Sequence, residues 1–342
     1  MPAPERIPAG RVTAPAAGPA APGPAGDGRD GPGPSDRELI AHGELTVRGR
    51  IREASNAVLY CSVSYRGRTA HCVYKPVAGE RPLWDFPDGT LAQREVAAYE
   101  VSEATGWGLV PPTVLREGPY GEGMCQLWIE AEDQPEEQPE GEPGTDAAVG
   151  ATTDGGTADG HADDGTADGH ADDGTADGAG PVAPLLALVE DDEPGEGWKA
   201  VGSAEVGEGR TALLVHADDP RLRRLAVLDA VINNGDRKGG HLLPAPGGRL
   251  YAIDHGVTFN VDDKLRTLLW GWAGEPLTGE ALEVLARLAD ALADGGPLAT
   301  RLAELITPAE TDAVRARIRE LRHTGRHPEP SGQWPAIPWP PV

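Results

Sequence analysis

Three cysteines are all that this chain of 342 residues contains, widely separated at Cys61, Cys72 and Cys125. That scarcity excludes a disulfide-stapled secreted scaffold, and the spacing fits no cysteine zinc site; buried, reduced thiols in a cytoplasmic protein are the expectation. No uninterrupted apolar run reaches the roughly 18 residues that mark a membrane-spanning helix, so none is expected. The N-terminal stretch has no apolar core of the secretory-signal kind. Basic residues are outnumbered, 30 Lys and Arg against 55 Asp and Glu. They form no patch of the nucleic-acid-binding type, which argues against DNA or RNA as a partner.

The acidic excess has a location. Residues 130–197 carry 21 acidic side chains and no Lys or Arg, so the formal charge of −25 falls to −4 for the remainder. Inside that stretch, Gly156–Asp164 recurs from Gly165 and, truncated, from Gly174. Gly/Asp nonapeptides are the pattern of Ca²⁺-binding β-rolls, but those need a large aliphatic residue per repeat, and these repeats offer only Ala. The segment 131–197 therefore reads as a disordered acidic insert with His161 and His170 solvated, weak cation binding being the alternative. Closure entropy grows slowly with loop length, so a folded body tolerates such an insert. Residues 1–37, rich in Pro, Ala and Gly, read as a disordered arm. What remains, 38–130 and 198–325, suffices for an α+β fold with a core in each of two lobes. The tail 326–342, rich in Pro and Trp, reads as extended polyproline II, packing on the body or docking a protein partner, as the insert could also do.

Two blocks carry chemistry. Asp229–Leu243 contains Asn233-Asn234-Gly235-Asp236-Arg237-Lys238, with His241 five residues after Asp236; Tyr251–Gly256 ends in Asp254-His255-Gly256. Leu242-Leu243 and Leu250–Ile253 read as short strands around a turn from Pro244 to Gly248, a hairpin that brings both acids to one end. Kinase-type sites use this arrangement: one Asp faces the attacking hydroxyl, a metal ligand follows, and a second Asp on the next strand holds Mg²⁺. Taken singly, each block is also an ordinary polar turn. Upstream, Ala70–Pro76 reads as a strand ending at Lys75. Thr90–Val101 reads as a helix capped by Thr90, with Leu91, Val96, Tyr99 and Val101 on its apolar side and Glu95 placed to aim the lysine. A surface lysine and a solvated glutamate are the bland reading of that pair. Four elements in this order favour a nucleotide site.

On Val73–Pro76 with Glu80-Arg81-Pro82, Arg94–Tyr99, Asp229–Leu243 and Ile253–Gly256, the chain resembles the phosphatidylinositol 3-/4-kinase-like branch of the kinase superfamily, in particular an actinobacterial group within it. The likeness spans roughly residues 45 to 275 without the insert. It implies a bilobal protein-kinase-like fold, ATP with Mg²⁺ or Mn²⁺, and phosphoryl transfer to a lipid, small-molecule or protein hydroxyl. It implies that Lys75 binds phosphate, Glu95 orients it, Asp236 is the base or the group that orients the acceptor hydroxyl, and Asp254 is the metal ligand. The turn within Leu45–Val63 becomes the phosphate-covering loop; it has no Gly-x-Gly pattern, so Ser55 and Asn56 would supply the donors. Gly123–Ile129, with Gln126 and Trp128, becomes the fifth strand and adenine-facing hinge. Related lipid kinases carry Asn at His241, Phe at His255 and His at Lys238. Imidazole prefers softer ions than Mg²⁺, which leaves His241 as a ligand, a phosphate contact, or the mark of a nucleotide-binding pseudokinase with a regulatory or scaffold role. Lys238 supplies fixed charge near the transferred group.

In the second lobe, Asp219 is placed to cap a helix from Pro220, Thr278 another, and Thr307–Glu310 forms a capping box for a third. Arg315, Arg317, Arg319 and Arg322 decorate the last helix as a solvated face. The aromatic stretch Phe259 to Trp272 follows Asp254, and it reads as core in preference to a lipid-dipping loop. A pure interaction protein without nucleotide would require all four aligned elements to be coincidental.

Overall fold

Alternating side chains in the first third of the chain build an antiparallel sheet. The computed structural model describes residues 33–51, 56–87, 90–130, 184–205 and 210–341. Strands β1 (Glu44–Ile51), β2 (Val58–Tyr65), β3 (Arg68–Pro76), β4 (Thr113–Gly118) and β5 (Gly121–Leu127) run in the order β1-β2-β3-β5-β4. A short helix, α1 (Asp36–His42), covers one face with Leu39 and Ile40, which pack on Cys61, Val63, Cys72, Tyr74, Val114 and Cys125. All three cysteines are free and buried in this small core, where they behave as compact apolar side chains. Helix α1 begins two residues inside the segment read as a disordered arm, because Ser35 and Glu38 form a capping box. Residues 1–32 lie outside the described part.

Helix α2 (Leu91–Thr105) connects the two lobes. Eleven of its residues are buried, including Leu91, Val96, Tyr99 and Val101 as expected, but also the charged Arg94 and Glu95. Its N-terminus corrects the expectation for Thr90, whose side chain makes no cap bond. The Glu80 carboxylate instead accepts from the Leu91 and Ala92 N–H groups at 3.0 and 2.8 Å, placing negative charge at the positive end of the helix.

The helical lobe follows. Strands β6 (Leu186–Val189), β7 (Trp198–Glu205) and β8 (Thr211–Ala217) form a small antiparallel sheet in the order β6-β8-β7. Strand β6 lies inside the range read as acidic insert. Averaging charge over 130–197 hid the apolar run at its end, where Leu185 is buried and Leu186 pairs with His216. The repeat and the rest of 131–183 lie outside the described residues. Helix α3 (Pro220–Ile232), the hairpin β9 (Leu242–Ala245) and β10 (Arg249–Ala252), and helices α4 (Gly279–Ala291), α5 (Pro297–Leu302) and α6 (Pro308–Thr324) complete the lobe. Asp219, Thr278 and Thr307 cap α3, α4 and α6 as their sequences predict. The main core joins Val96, Ala97 and Val101 of α2 to Leu225, Leu228 and Ile232 of α3, Leu285 and Leu288 of α4, and Val314 and Ile318 of α6.

Phe259, Leu268, Leu269, Trp270 and Trp272 are buried, so the aromatic stretch is core. One surface expectation is corrected: Arg317 is not solvated but donates to the carbonyls of Val231 and Asn260, serving backbone acceptors that the packed helices leave open. The tail packs on the body. Ala336 O accepts from Thr267 N at 3.1 Å and Pro341 O from Gly239 N at 2.9 Å. Among the described residues no helix is long and apolar enough to cross a membrane.

Candidate functional site

Lys75 is the penultimate residue of β3, a half-buried position that carries its ammonium toward α2. There it meets the Glu95 carboxylate at 2.7 Å and the Asp254 carboxylate at 2.9 Å. Glu95 is almost fully buried, and its second oxygen accepts from the His255 N–H at 2.9 Å. One helix carboxylate therefore fixes both the strand lysine and the loop that follows β10. Asp254 sits at φ +61°, a left-handed backbone that non-glycine residues adopt at a cost and that aspartate tolerates better than most. Its carboxylate is half-exposed to the cleft.

Charge and burial set the protonation states. The Lys75 ammonium beside Asp254 holds its carboxyl well below the usual carboxylate range, against the effect of burial. Burial alone would push Lys75 down, but Asp254 and Glu95 together outweigh it and hold the ammonium above the usual lysine range. Burial raises the Glu95 carboxyl, with Lys75 pulling against it. Both acids thus depend on one lysine for their compensation.

Asp236 and Lys238 lie on the loop after α3 and pair with each other at 3.1 Å. Burial raises the Asp236 carboxyl, Lys238 opposes the shift, and Asp254 adds to it, so the two acids share one electrostatic field. His241 Nε2 lies 3.4 Å from Asp254, while its Nδ1 accepts from the Lys238 N–H at 3.4 Å. Burial pushes His241 down to about 4. The ring is then neutral at physiological pH, with its proton on Nε2 facing Asp254. In this arrangement His241 stands beside the acid without a hydrogen bond to it.

A buried frame holds the two acidic segments together. Asp229 of α3 and Arg237, both without exposed side-chain surface, pair at 2.9 Å. Arg237 also donates to Ile253 O at 2.9 Å and to His255 Nε2 at 2.7 Å, gripping the residues on either side of Asp254. Asn234 donates to Asp229 at 3.0 Å and accepts from the Asp236 N–H at the same distance. Because Arg237 only donates, the His255 proton is on Nδ1, and that buried atom has no partner among the described residues. Local sequence pattern assigns Asp229 and Arg237 no role. Their signal was a carboxylate at the interior spacing of an otherwise apolar helix.

The remaining sequence candidates sit elsewhere. Ser55 lies outside the described residues. Asn56 Oδ1 accepts from Arg81 N, Gln126 is buried in β5 with its amide on Thr113, and Trp128 packs edge-on against Tyr60. None of these side chains is bonded to Lys75 or Asp254. Four lysines occur in the whole chain. Three of them pair with aspartates: Lys75 with Asp254, Lys238 with Asp236 and Lys264 with Asp85.

No group of three His, Cys, Asp or Glu among the described residues could hold a metal alone. A hard cation brought with a phosphate ligand asks for less, since Mg²⁺ commonly takes one or two carboxylates and completes its shell with phosphate and water. The half-exposed, ionised Asp254 fits that requirement.

Over 305 aligned residues the sequence is 46% identical to protein Rv2133c of Mycobacterium tuberculosis, covering 89% of this chain and 95% of that protein. The chain belongs to the Rv2133c family. No family model matches the sequence. Among solved structures, this Rv2133c relative is similar to a Helicobacter pylori proinflammatory kinase, CtkA, at 10% identity and a TM-score of 0.37, over 84% of this chain and 94% of that one.

Proposed function

We propose that the protein is an ATP-dependent phosphotransferase with a kinase-like fold resembling phosphatidylinositol 3-/4-kinases, using Mg²⁺ or Mn²⁺. The observation that carries this reading is the single ammonium of Lys75 bridging the buried Glu95 and the half-exposed Asp254. An ion pair of strand lysine and helix glutamate, next to an acid held in a strained loop, is what positioning a polyphosphate and its cation requires. A cation on Asp254 would neutralise phosphate charge. Lys75 would shift from Asp254 toward phosphate while Glu95 retains it. Asp236 would orient the acceptor hydroxyl and take its proton, with Lys238 supplying fixed positive charge beside it. A second reading, nucleotide binding without transfer, is favoured by His241, whose imidazole stands at a metal-ligand position 3.4 Å from Asp254.

Thermal unfolding with ATP and each metal tests the reading. Saturation at a hundredfold excess over Kd stabilises by about 2.7 kcal/mol. The expected result is a metal-dependent rise in Tm that is lost in Asp254→Asn, chosen because Asn tolerates the left-handed backbone, and kept in Asp236→Asn. Transfer is lost in both. Transfer undiminished in Asp236→Asn would remove its role as base, and a rise in Tm without turnover in the parent would favour the second reading.

A further inference from the structure

We infer that the phosphoryl acceptor is a small hydroxylated molecule, not a membrane lipid or a polypeptide, and that it binds in a cleft walled by the chain's own C-terminal tail. This rests on the phosphotransferase reading and narrows it. The cleft measures about 220 Å³ and has Asp236 on one side. Trp84 and Phe86 from the segment before α2, Val257 from the loop after Asp254, and Trp334 from the tail line the rest. Its volume falls just below the roughly 300–1,000 Å³ of pockets for drug-sized ligands. Aromatic walls, with Asp85 already paired to Lys264 and the Asp236 carboxylate beside them, suit a compact molecule that offers an apolar or ring face to tryptophan and a hydroxyl to Asp236.

Two observations turn larger acceptors away. An extended polypeptide docks by pairing its backbone with open N–H and C=O groups. Here the Gly239 and Thr267 N–H groups are already taken by Pro341 O and Ala336 O, and Arg266 donates to Ile337 O at 3.2 Å. The tail thus occupies these backbone donors and leaves neither of them open to an extended polypeptide. A lipid headgroup in an anionic bilayer needs a basic surface, each Lys or Arg contributing about 1 kcal/mol. Lys264 is neutralised by Asp85, and its ammonium lies 4.5 and 4.7 Å from the centres of the Trp84 and Trp334 rings, which fixes the tail as the second wall. Arg266 is then the one cation lining the cleft, among the described residues, that has no carboxylate partner.

The step balances with a nucleoside triphosphate as donor. The acceptor oxygen forms a bond to the γ-phosphorus, the bond from that phosphorus to the β,γ-bridging oxygen breaks, and the diphosphate leaves with the electron pair. The hydroxyl proton passes to Asp236 and then to solvent.

The test uses the full chain, γ-labelled ATP and Mn²⁺ or Mg²⁺, with three acceptor pools: a small-molecule ultrafiltrate of a cell lysate, the retained protein, and vesicles of phosphatidylcholine with phosphatidylinositol. Label is expected in the small-molecule pool. Trp334→Ala and the largely exposed Trp84→Ala should raise the acceptor KM by about tenfold, equivalent to 1.4 kcal/mol. They should leave kcat within a factor of about two and the ATP–metal rise in Tm unchanged, the pattern of lost acceptor binding alone. Label in protein or vesicle lipid, or transfer increased by Trp334→Ala, overturns the inference. No label in any pool, with the ATP–metal rise intact, overturns the transfer reading and the inference with it. Loss of the rise itself refutes the nucleotide site.

Discussion

Arg237 shows how much of this site depends on groups that touch no solvent. It neutralises Asp229 and binds both neighbours of Asp254. Replacing it by Met leaves a buried carboxylate without compensation, which should cost about 3–5 kcal/mol in urea unfolding. A loss under 1 kcal/mol would mean that water reaches Asp229. His327 makes a pH prediction. Burial and the nearby Arg223 push it down to about 4, whereas an unfolded histidine titrates near 6.5. The unfolded chain therefore binds the proton first, and stability falls as pH drops from about 6.5 toward 4, by as much as ~3 kcal/mol. Buried His216, also held down by burial, adds in the same direction. His327→Asn should flatten the upper part of that profile, and an unchanged slope between about pH 6.5 and 5 would remove the assignment. Lys75, Glu95, Asp236 and Asp254 were legible in the sequence because each sits at a strand end, helix turn or hairpin end that local pattern marks. Asp229 and Arg237 were not, because what defines them is pairing inside the fold.

At the scale of elements, local signals succeeded where a helix carries its own cap. Asp219, Thr278 and Thr307 start α3, α4 and α6 from within their own sequence. They failed at α2, whose cap comes from Glu80, eleven residues upstream of Leu91. Glu80→Ala should cost about 1 kcal/mol in chemical denaturation, and Glu80→Gln, which keeps one acceptor oxygen, about half of that. The larger effect should be on nucleotide affinity, since the same helix carries Glu95. Short α5 escaped notice because six residues carry too little periodicity to read. Strand β6 escaped because a four-residue apolar run was embedded in an acidic composition. The β9–β10 hairpin was legible in position, but its turn is tighter than the Pro244–Gly248 span expected, because Pro244 and Ala245 pair with Leu250 and Arg249 inside the strands.

At the scale of the whole molecule, the C-terminal tail is drawn against one cleft. Cutting the chain after Ser331 would remove the partners of the Gly239 and Thr267 N–H groups. Amide exchange at both should then accelerate well beyond the rest of the helical lobe, and unchanged exchange would show the tail to be merely laid on the surface. The scarcity of lysine has a practical side. With Lys75 paired to Asp254 and Lys238 to Asp236, an amine-directed reagent becomes a site-selective footprint without any engineering. Lys75, with 19% of its side chain exposed, and Lys238, with 24%, are open enough to be modified slowly. Lys199, 26% exposed and paired with Glu275 away from the cleft, supplies an internal reference on the same polypeptide. Peptide mass mapping should show nucleotide shielding Lys75 relative to Lys199, and a small acceptor shielding Lys238 in turn, so that one digestion reads out the order in which the two ligands arrive.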